Sequence, residues 1–316
     1  MENSAVNKTL AFVFPGQGSQ KIGMLSELAE KYQTITDTFA EASEVLGYDL
    51  WDLVQNGTQE DITLTERTQP LLLTASVSVW RVWQQEGGVQ PVLMAGHSLG
   101  EWSALVCAGV VAFKDAVRLV RNRGAYMQEA VPKGEGAMAA IIGLDDEAIK
   151  SICVDACQGE EVAAVNFNSP GQVVIAGNAS AVDRAIEGCK EAGAKRALPL
   201  PVSAPFHTNL MQPAADRLAA EIIATEFSAP NTLVVHNVHA NTESDPEKIK
   251  QLMIDQICSP VLWVDCVNTL RTNGIETIVE CGAGKVLSGL CKRIESSLVT
   301  LATEDVASLE KALIEA

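Results

Sequence analysis

Five residues constrain the fold of this 316-residue chain more than any others: Gly96-His97-Ser98-Leu99-Gly100. Ahead of them, residues 92–95 form a short apolar run of buried-strand type, and behind them residues 101–108 carry a helical pattern. The chain must therefore reverse within a few residues, with a serine at the apex. Glycines on both sides let strand and helix approach closely around a strained central residue, which lifts its hydroxyl clear of the sheet. A bare G-x-S-x-G is weak, because Gly and Ser are common residues. The strand before it and the helix after it mark Ser98 as a nucleophile on an elbow. Backbone N–H groups at the helix start, beginning with that of Leu99, carry partial positive charge suited to a developing oxyanion.

Around the elbow the pattern alternates as in an α/β fold. Residues 10–14 read as a first strand, 15–20 as the loop at its carboxyl end, and 24–46 and 68–85 as helices. Gly87-Gly88 leads into the elbow strand, and a helix over 114–131 ends near Pro132 and Gly134. From Gly136 the rhythm changes. Strands at 137–142, 162–166, 172–176 and 196–202 and helices at 145–156 and 180–192 give β-α-β-β-α-β, the order of a ferredoxin-like unit. The expected division is a large unit of residues 1–133 and 203–316 with a small one, 134–202, inserted into it. The chain then continues with a helix at 211–223, a strand at 233–238, a helix at 247–256, a last core strand at 275–280 and a helix at 286–294.

Composition narrows the function. Nearly half of the residues are apolar, enough for a large core. A formal charge of −17 argues against nucleic acid or an anionic membrane as partner unless a local basic patch exists. The eight cysteines contain no C-x-x-C pair and sit mostly in apolar surroundings, so they read as reduced core residues. The N-terminus lacks a basic n-region, and the apolar run 10–14 is too short for export or for a membrane span, so a cytoplasmic location is expected. Lys21 stands where a dinucleotide fingerprint needs its third glycine, and Gly282-Ala-Gly-Lys285 lacks the rest of a phosphate loop.

Two further residues carry chemistry. Ala116, Leu119, Val120, Met127 and Val131 recur at helical spacing, and Arg123 falls on the same stripe, toward the core. A buried guanidinium needs an anion. Spacing alone leaves two candidates, an internal Asp or Glu and a bound carboxylate ligand. Arg118 and Arg121 lie off the stripe and read as solvated. Among the four histidines, His97 sits inside the elbow. His236 and His239 lie at a strand exit without further clear metal ligands, so no metal site is expected. His207, in Val202-Ser-Ala-Pro-Phe-His207 where the chain returns to the large unit, is the best general base.

Phe14-Pro-Gly-Gln-Gly-Ser-Gln20, Gly96-His-Ser-Leu-Gly-Glu101, Arg123-Gly124, Asn166-Phe-Asn-Ser-Pro-Gly-Gln172, Pro205-Phe-His207 and Gly282-Ala-Gly-Lys285 together resemble the malonyl-CoA:acyl carrier protein transacylases of bacterial fatty-acid synthesis. The likeness runs from about Leu10 to Ile294, and several motifs in the family's order are far more specific than one. It implies an α/β-hydrolase-like large domain with an inserted ferredoxin-like (β-α-β-β-α-β) domain. It implies acylation of Ser98 by malonyl-CoA with His207 as base, an oxyanion hole from the N–H groups of Gln17 and Leu99, and Arg123 on the malonyl carboxylate. Gln17 and Asn168 would line the substrate site, and Gln256 would orient the histidine through its backbone carbonyl. The acceptor implied is the phosphopantetheine thiol of acyl carrier protein, a transient partner, with no bound cofactor or metal and a monomeric enzyme. Lys195, Arg196, Lys292 and Arg293 match basic positions in the family and are docking candidates, against the alternative of a solvated charged surface. Phe206 is of the type that accompanies malonyl preference. Trp102 and Leu262 depart from the family pattern without touching this chemistry. Two other classes stay open: a hydrolase using the same Ser98 and His207, and a catalytically silent carrier-binding module. Service to a polyketide or polyunsaturated fatty-acid synthase is a further alternative for the transfer itself.

Overall fold

Leu10-Ala-Phe-Val-Phe14 is apolar at five consecutive positions, so neither face of that strand can meet water, and a sheet covered on both sides is required. The computed structural model describes residues 6–202 and 204–316. Residues 1–5 and 203, assigned above to the large unit, lie outside the described residues. Ten strands are described: β1 (Val6–Phe14), β2 (Gln90–Gly96), β3 (Gly136–Ile142), β4 (Val162–Ser169), β5 (Gln172–Asn178), β6 (Arg196–Pro199), β7 (Leu233–Val235), β8 (Thr242–Glu243), β9 (Thr277–Glu280) and β10 (Val299–Ala302). Six of them form one sheet in the order β10-β9-β1-β2-β7-β8, parallel except for the β7–β8 pair. The fold is α/β, as expected.

Both faces of β1 are covered. Phe12 meets Trp80 and Trp83 of the helix Thr65–Gln85 edge-on, at centroid distances of 5.2 and 5.0 Å. Ala11 and Val13 pack on the other side with Trp263, Val267 and Leu270 of the helix Trp263–Thr272.

The remaining four strands form an antiparallel sheet in the order β4-β5-β3-β6, with the helices Asp146–Cys157 and Ala179–Glu191 on one face. Alternation along the strands separates two roles. Ala139, Ile141, Val173 and Ile175 bury against those helices, whereas Met138, Val174 and Ala176 join the main core beside Phe206 and Met211. The small sheet therefore leans its second face on the large one. Main-chain hydrogen bonds extend the contact: Phe167 N–H donates to Val261 O (3.0 Å), and Val261 N–H donates to Val165 O (2.8 Å).

Several expected elements shift. The helix expected over 24–46 is two helices, Ser26–Lys31 and Gln33–Leu46, separated by Tyr32 in an extended conformation. Strand β6 stops at Pro199, where a second proline follows at 201. The strand expected over 233–238 ends at Val235, so His236 and Asn237 lie in a turn. The strand ending at Glu280 is not the last, because β10 pairs beyond it as an edge strand. The Gly282–Lys285 turn does open a helix, Val286–Ile294, and the Glu280 carboxylate occupies its N-terminus by accepting from Leu287 N–H (3.0 Å) and Ser288 N–H (2.7 Å). All eight cysteines are free thiols. Among the described residues, no helix is long and apolar enough to cross a membrane.

The elbow has the geometry that its sequence demands. Ser98 sits at φ 51°, ψ −106°, between β2 and the helix Leu99–Cys107. A Cβ on Gly96 would stand 1.9 Å from the Gly100 carbonyl carbon, and one on Gly100 would stand 2.0 Å from Phe14 O. Neither backbone neighbour can retreat, since both belong to the sheet and elbow themselves. Gly100→Ala is therefore expected to cost about 2–4 kcal/mol and to lower the melting temperature by several degrees. Gly289→Ala, in open space within the helix Val286–Ile294, is the control and is expected to be neutral or stabilising by up to about 1 kcal/mol. Equal melting temperatures for the two variants would contradict this account of the elbow.

Candidate active site

The site is assembled at the carboxyl ends of β1 and β2, where loops of a parallel sheet converge. Ser98 Oγ lies 2.8 Å from His207 Nε2. His207 Nδ1 lies 2.9 Å from the backbone carbonyl of Gln256. A carbonyl only accepts, so Nδ1 carries the proton, and Nε2 is left as the acceptor for the serine hydroxyl. The histidine is buried and, like Ser98, holds a positive φ, 65°, which is rare for a residue with a side chain. Burial first, and then the neighbouring Arg123 charge, push the His207 pKa down to about 3, so the imidazole is neutral across the physiological range. The group can take a proton from Ser98 but starts as a weak base.

Arg123, on the helix Phe113–Glu129, is 1 % exposed. Its Nη1 donates to Gln69 Oε1 (2.9 Å), and its Nη2 donates to Gln256 Oε1 (3.0 Å) and to Ser98 Oγ (3.2 Å). Every acceptor is neutral. Among the described residues no carboxylate pairs with it, and its Nε has no partner. Burial lowers its pKa to about 10, and the nearby Glu101 charge opposes that shift, so the guanidinium stays charged at neutral pH. A buried cation without a direct carboxylate partner, beside a serine hydroxyl, can receive an anion. The internal salt bridge left open by helical spacing is absent.

Gln17, on the exposed loop after β1, has its side chain tied through Oε1 to Gln69 Nε2 (3.4 Å). The N–H groups of Gln17 and Leu99 have no intramolecular acceptor among the described residues. Asn168 behaves differently from the expectation of a substrate ligand alone. Its Oδ1 lies 2.7 Å from His97 Nε2, so it also clasps β4 of the small sheet to the elbow.

Three of the basic candidates, Lys195, Arg196 and Arg293, lie along one end of the small sheet. Arg196 pairs with Ile142, Ile142 pairs with Gln172, and Gln172 Oε1 accepts from Arg293 Nη1 (2.8 Å). Residues directly opposite share a face, so Arg196 and Gln172 point to the same side. Lys195 lies against Gly143 on the adjoining turn, and Lys292 donates instead to Leu298 O (2.8 Å). All four basic residues are exposed.

Sequence reasoning missed the layer beneath the elbow. Asn237 Oδ1 accepts from Ser98 N–H (2.7 Å), and its Nδ2 donates to Gly96 O (2.7 Å), so one amide bridges the strained turn. His236 Nδ1 donates to Glu101 Oε1 (2.7 Å), and both residues are fully buried. His236 is thus bound to a carboxylate, and among the described residues no group of three metal-ligating side chains exists. Gln69, the direct partner of Arg123, was also missed. Its signal was an amide just ahead of the apolar run 70–73.

Residues 11–306 match the model of the acyl transferase domain family. The chain is 57 % identical over 303 residues to the malonyl CoA-acyl carrier protein transacylase of Salmonella typhimurium, covering 96 % of this chain and 98 % of that protein. The Bacillus subtilis protein of the same description is 47 % identical over 305 residues, with 96 % of each chain covered. Among solved structures, the acyl carrier protein S-malonyltransferase of Vibrio cholerae superimposes with a TM-score of 0.94 at 61 % identity, covering 96 % of this chain and 99 % of that one. A malonyl-transacylase solved in complex with its holo type II PKS acyl-carrier protein gives a TM-score of 0.96 at 55 % identity, covering 97 % and 99 %. With this identity spread over nearly its whole length, the chain belongs to the malonyl-CoA:acyl carrier protein transacylase family of acyl transferases.

Proposed function

We propose that this protein moves a malonyl group from malonyl-CoA to the phosphopantetheine thiol of acyl carrier protein through a malonyl ester on Ser98. The observation that carries this reading is the buried Arg123 guanidinium, with no carboxylate partner, 3.2 Å from the nucleophilic oxygen. A neutral acyl chain has no use for such a charge; a malonyl chain brings its own carboxylate.

The reaction follows from the groups in place. His207 Nε2 removes the Ser98 proton as Oγ attacks the thioester carbonyl, and the N–H groups of Gln17 and Leu99 hold the resulting oxyanion. Collapse breaks the C–S bond, and coenzyme A leaves with the proton from His207. The carrier thiol then gives its proton to His207, its sulfur attacks the malonyl ester, and Ser98 Oγ departs with that proton. The Gln256 carbonyl keeps the imidazole in the required tautomer throughout, in place of a carboxylate. No step calls for a metal or a redox group. Asn168, held through its Oδ1 by His97, lines the substrate site. Lys195, Arg196, Lys292 and Arg293 dock the carrier, which overcomes the overall acidity of the chain by local charge. In this reading residues 1–133 and 203–316 supply the nucleophile, base and clamp, the insertion 134–202 forms one wall and carries two of the four docking residues, and the enzyme acts as a cytoplasmic monomer.

Intact mass after brief mixing with malonyl-CoA and no acceptor is the direct test. A malonyl adduct on the wild type, none on Ser98→Ala, and discharge onto added holo-carrier are expected. Arg123→Ala should lower malonyl acylation by about a hundredfold while affecting acetyl-CoA far less. Free coenzyme A accumulating without a carrier would instead make the protein a hydrolase, and no adduct at all would leave only a binding module. Fatty-acid and polyketide carriers offered in parallel report the pathway.

The His207 environment sets a pH prediction. The base works unprotonated, and its pKa is depressed, so kcat/KM for acylation should stay level as pH falls from 8 to 5. A break near pH 6.5, the ordinary imidazole value, would contradict the buried neutral base. For docking, Lys195→Glu with Arg196→Glu should slow transfer to the carrier by about tenfold at low salt and less at high salt, with acylation by malonyl-CoA unchanged. Equal loss in both half-reactions would remove the docking assignment.

A further inference from the structure

Glu101 is a carboxylate fully buried in the first turn of the elbow helix, and the reaction as written leaves it without a task. Its oxygens are fully engaged. Oε1 accepts from His236 Nδ1 (2.7 Å), while Oε2 accepts from Gln256 Nε2 (2.7 Å) and from Asn237 N–H (3.1 Å). The Gln256 amide has two ends, and both are spoken for. Nε2 faces Glu101 Oε2 and Ser98 O (3.0 Å), and Oε1 faces Arg123 Nη2 (3.0 Å).

A carboxylate has no donor, so Gln256 can meet Glu101 only with its NH2 end, and this delivers the oxygen end to the guanidinium. With the amide turned the other way, its NH2 would face the N–H donors of Arg123 and its single oxygen would face the acceptors Glu101 Oε2 and Ser98 O, at the cost of several buried hydrogen bonds. Glu101 and Arg123 therefore do not touch and are held one amide apart. That spacing is chemically useful. A carboxylate placed directly on Arg123 would fill the anion site, whereas one held a single amide away orients the guanidinium and leaves it open.

We infer that Glu101 is a positioning residue for acyl-group selection: through Gln256 it aims Arg123, and so sets the preference for an acyl chain that ends in a carboxylate. This inference rests on the proposed role of Arg123 as the malonyl clamp. Two conservative variants separate reach from charge. Glu101→Gln keeps the length and can keep an oxygen toward Gln256 Nε2 and Asn237 N–H, turning its NH2 to His236, whose Nε2 has no partner and can take the ring proton. Glu101→Asp keeps the charge but withdraws the oxygens by one methylene.

The readout is the ratio of acylation rates with malonyl-CoA and acetyl-CoA, followed by intact mass, with Arg123→Ala alongside. Glu101→Asp is expected to lower the ratio by about tenfold, chiefly through malonyl-CoA, whereas Glu101→Gln should stay within about threefold of the wild type. A merely structural role would slow both substrates alike and leave the ratio unmoved, and that result in Glu101→Asp would overturn the assignment. So would a fall of the ratio in Glu101→Gln with Glu101→Asp unmoved, since charge rather than reach would then be at work. If Arg123→Ala itself keeps the malonyl preference, the clamp reading fails; if Arg123→Ala loses the preference and Glu101→Asp does not, only the role of Glu101 fails.

Discussion

Arg123 is held away from water by a helix stripe and given no carboxylate to neutralise it, an arrangement that costs on the order of several kcal/mol unless its donors are satisfied. The surrounding structure is arranged to satisfy them without discharging it. Gln69 reaches in from the long helix Thr65–Gln85 and Gln256 from the end of the helix Pro246–Asp255, each offering an amide oxygen. Amide oxygens solvate a cation but do not cancel it, so the guanidinium keeps its charge. The same Gln256 gives its backbone carbonyl to His207 and its amide nitrogen to the Ser98 carbonyl. His207, Ser98 and Arg123 are therefore all positioned by one residue, and a shift of that segment would disturb all three.

The second constraint is backbone strain. Ser98 and His207 both sit at positive φ, which a side-chain-bearing residue adopts only when its neighbours over-determine it. At Ser98 the overdetermination is visible. Gly96 and Gly100 allow the approach, and the Asn237 side chain ties the Ser98 N–H to the Gly96 carbonyl across the bend. Asn237 is in turn fixed through its own N–H to Glu101. The polar layer under the elbow thus holds a turn that the local sequence alone would not maintain.

What could be read in advance was local: a strand, turn and helix around Ser98, the β-α-β-β-α-β order, and an arginine on an apolar stripe. Each is a periodicity or a short-range steric demand. Spacing left the partner of Arg123 undecided, because a stripe gives direction but not what waits there. The resemblance supplied the malonyl carboxylate. Asn237 escaped notice, and His236 was weighed only as a metal ligand, because Leu233 to Val238 reads as one strand, whereas the chain leaves the sheet after Val235. Glu101 was legible in principle, as the one charge in a helix buried on every side from Leu99 to Leu105. The edge strand β10 is four residues long with an exposed first residue, too short for its alternation to stand out.

Charge coupling between Arg123 and His207 gives the proposed clamp a second consequence. In the free protein the guanidinium helps to hold the imidazole far below its ordinary pKa. A carboxylate seated on Arg123 cancels part of that field, so the His207 pKa must rise when a malonyl group is bound. The base is then stronger with the correct acyl group in place than without it. An acetyl group, lacking the carboxylate, leaves the field intact and the base weak. Selection for malonyl in this arrangement falls on the rate of proton removal as well as on binding, which is where discrimination between acyl groups of similar size has the most effect.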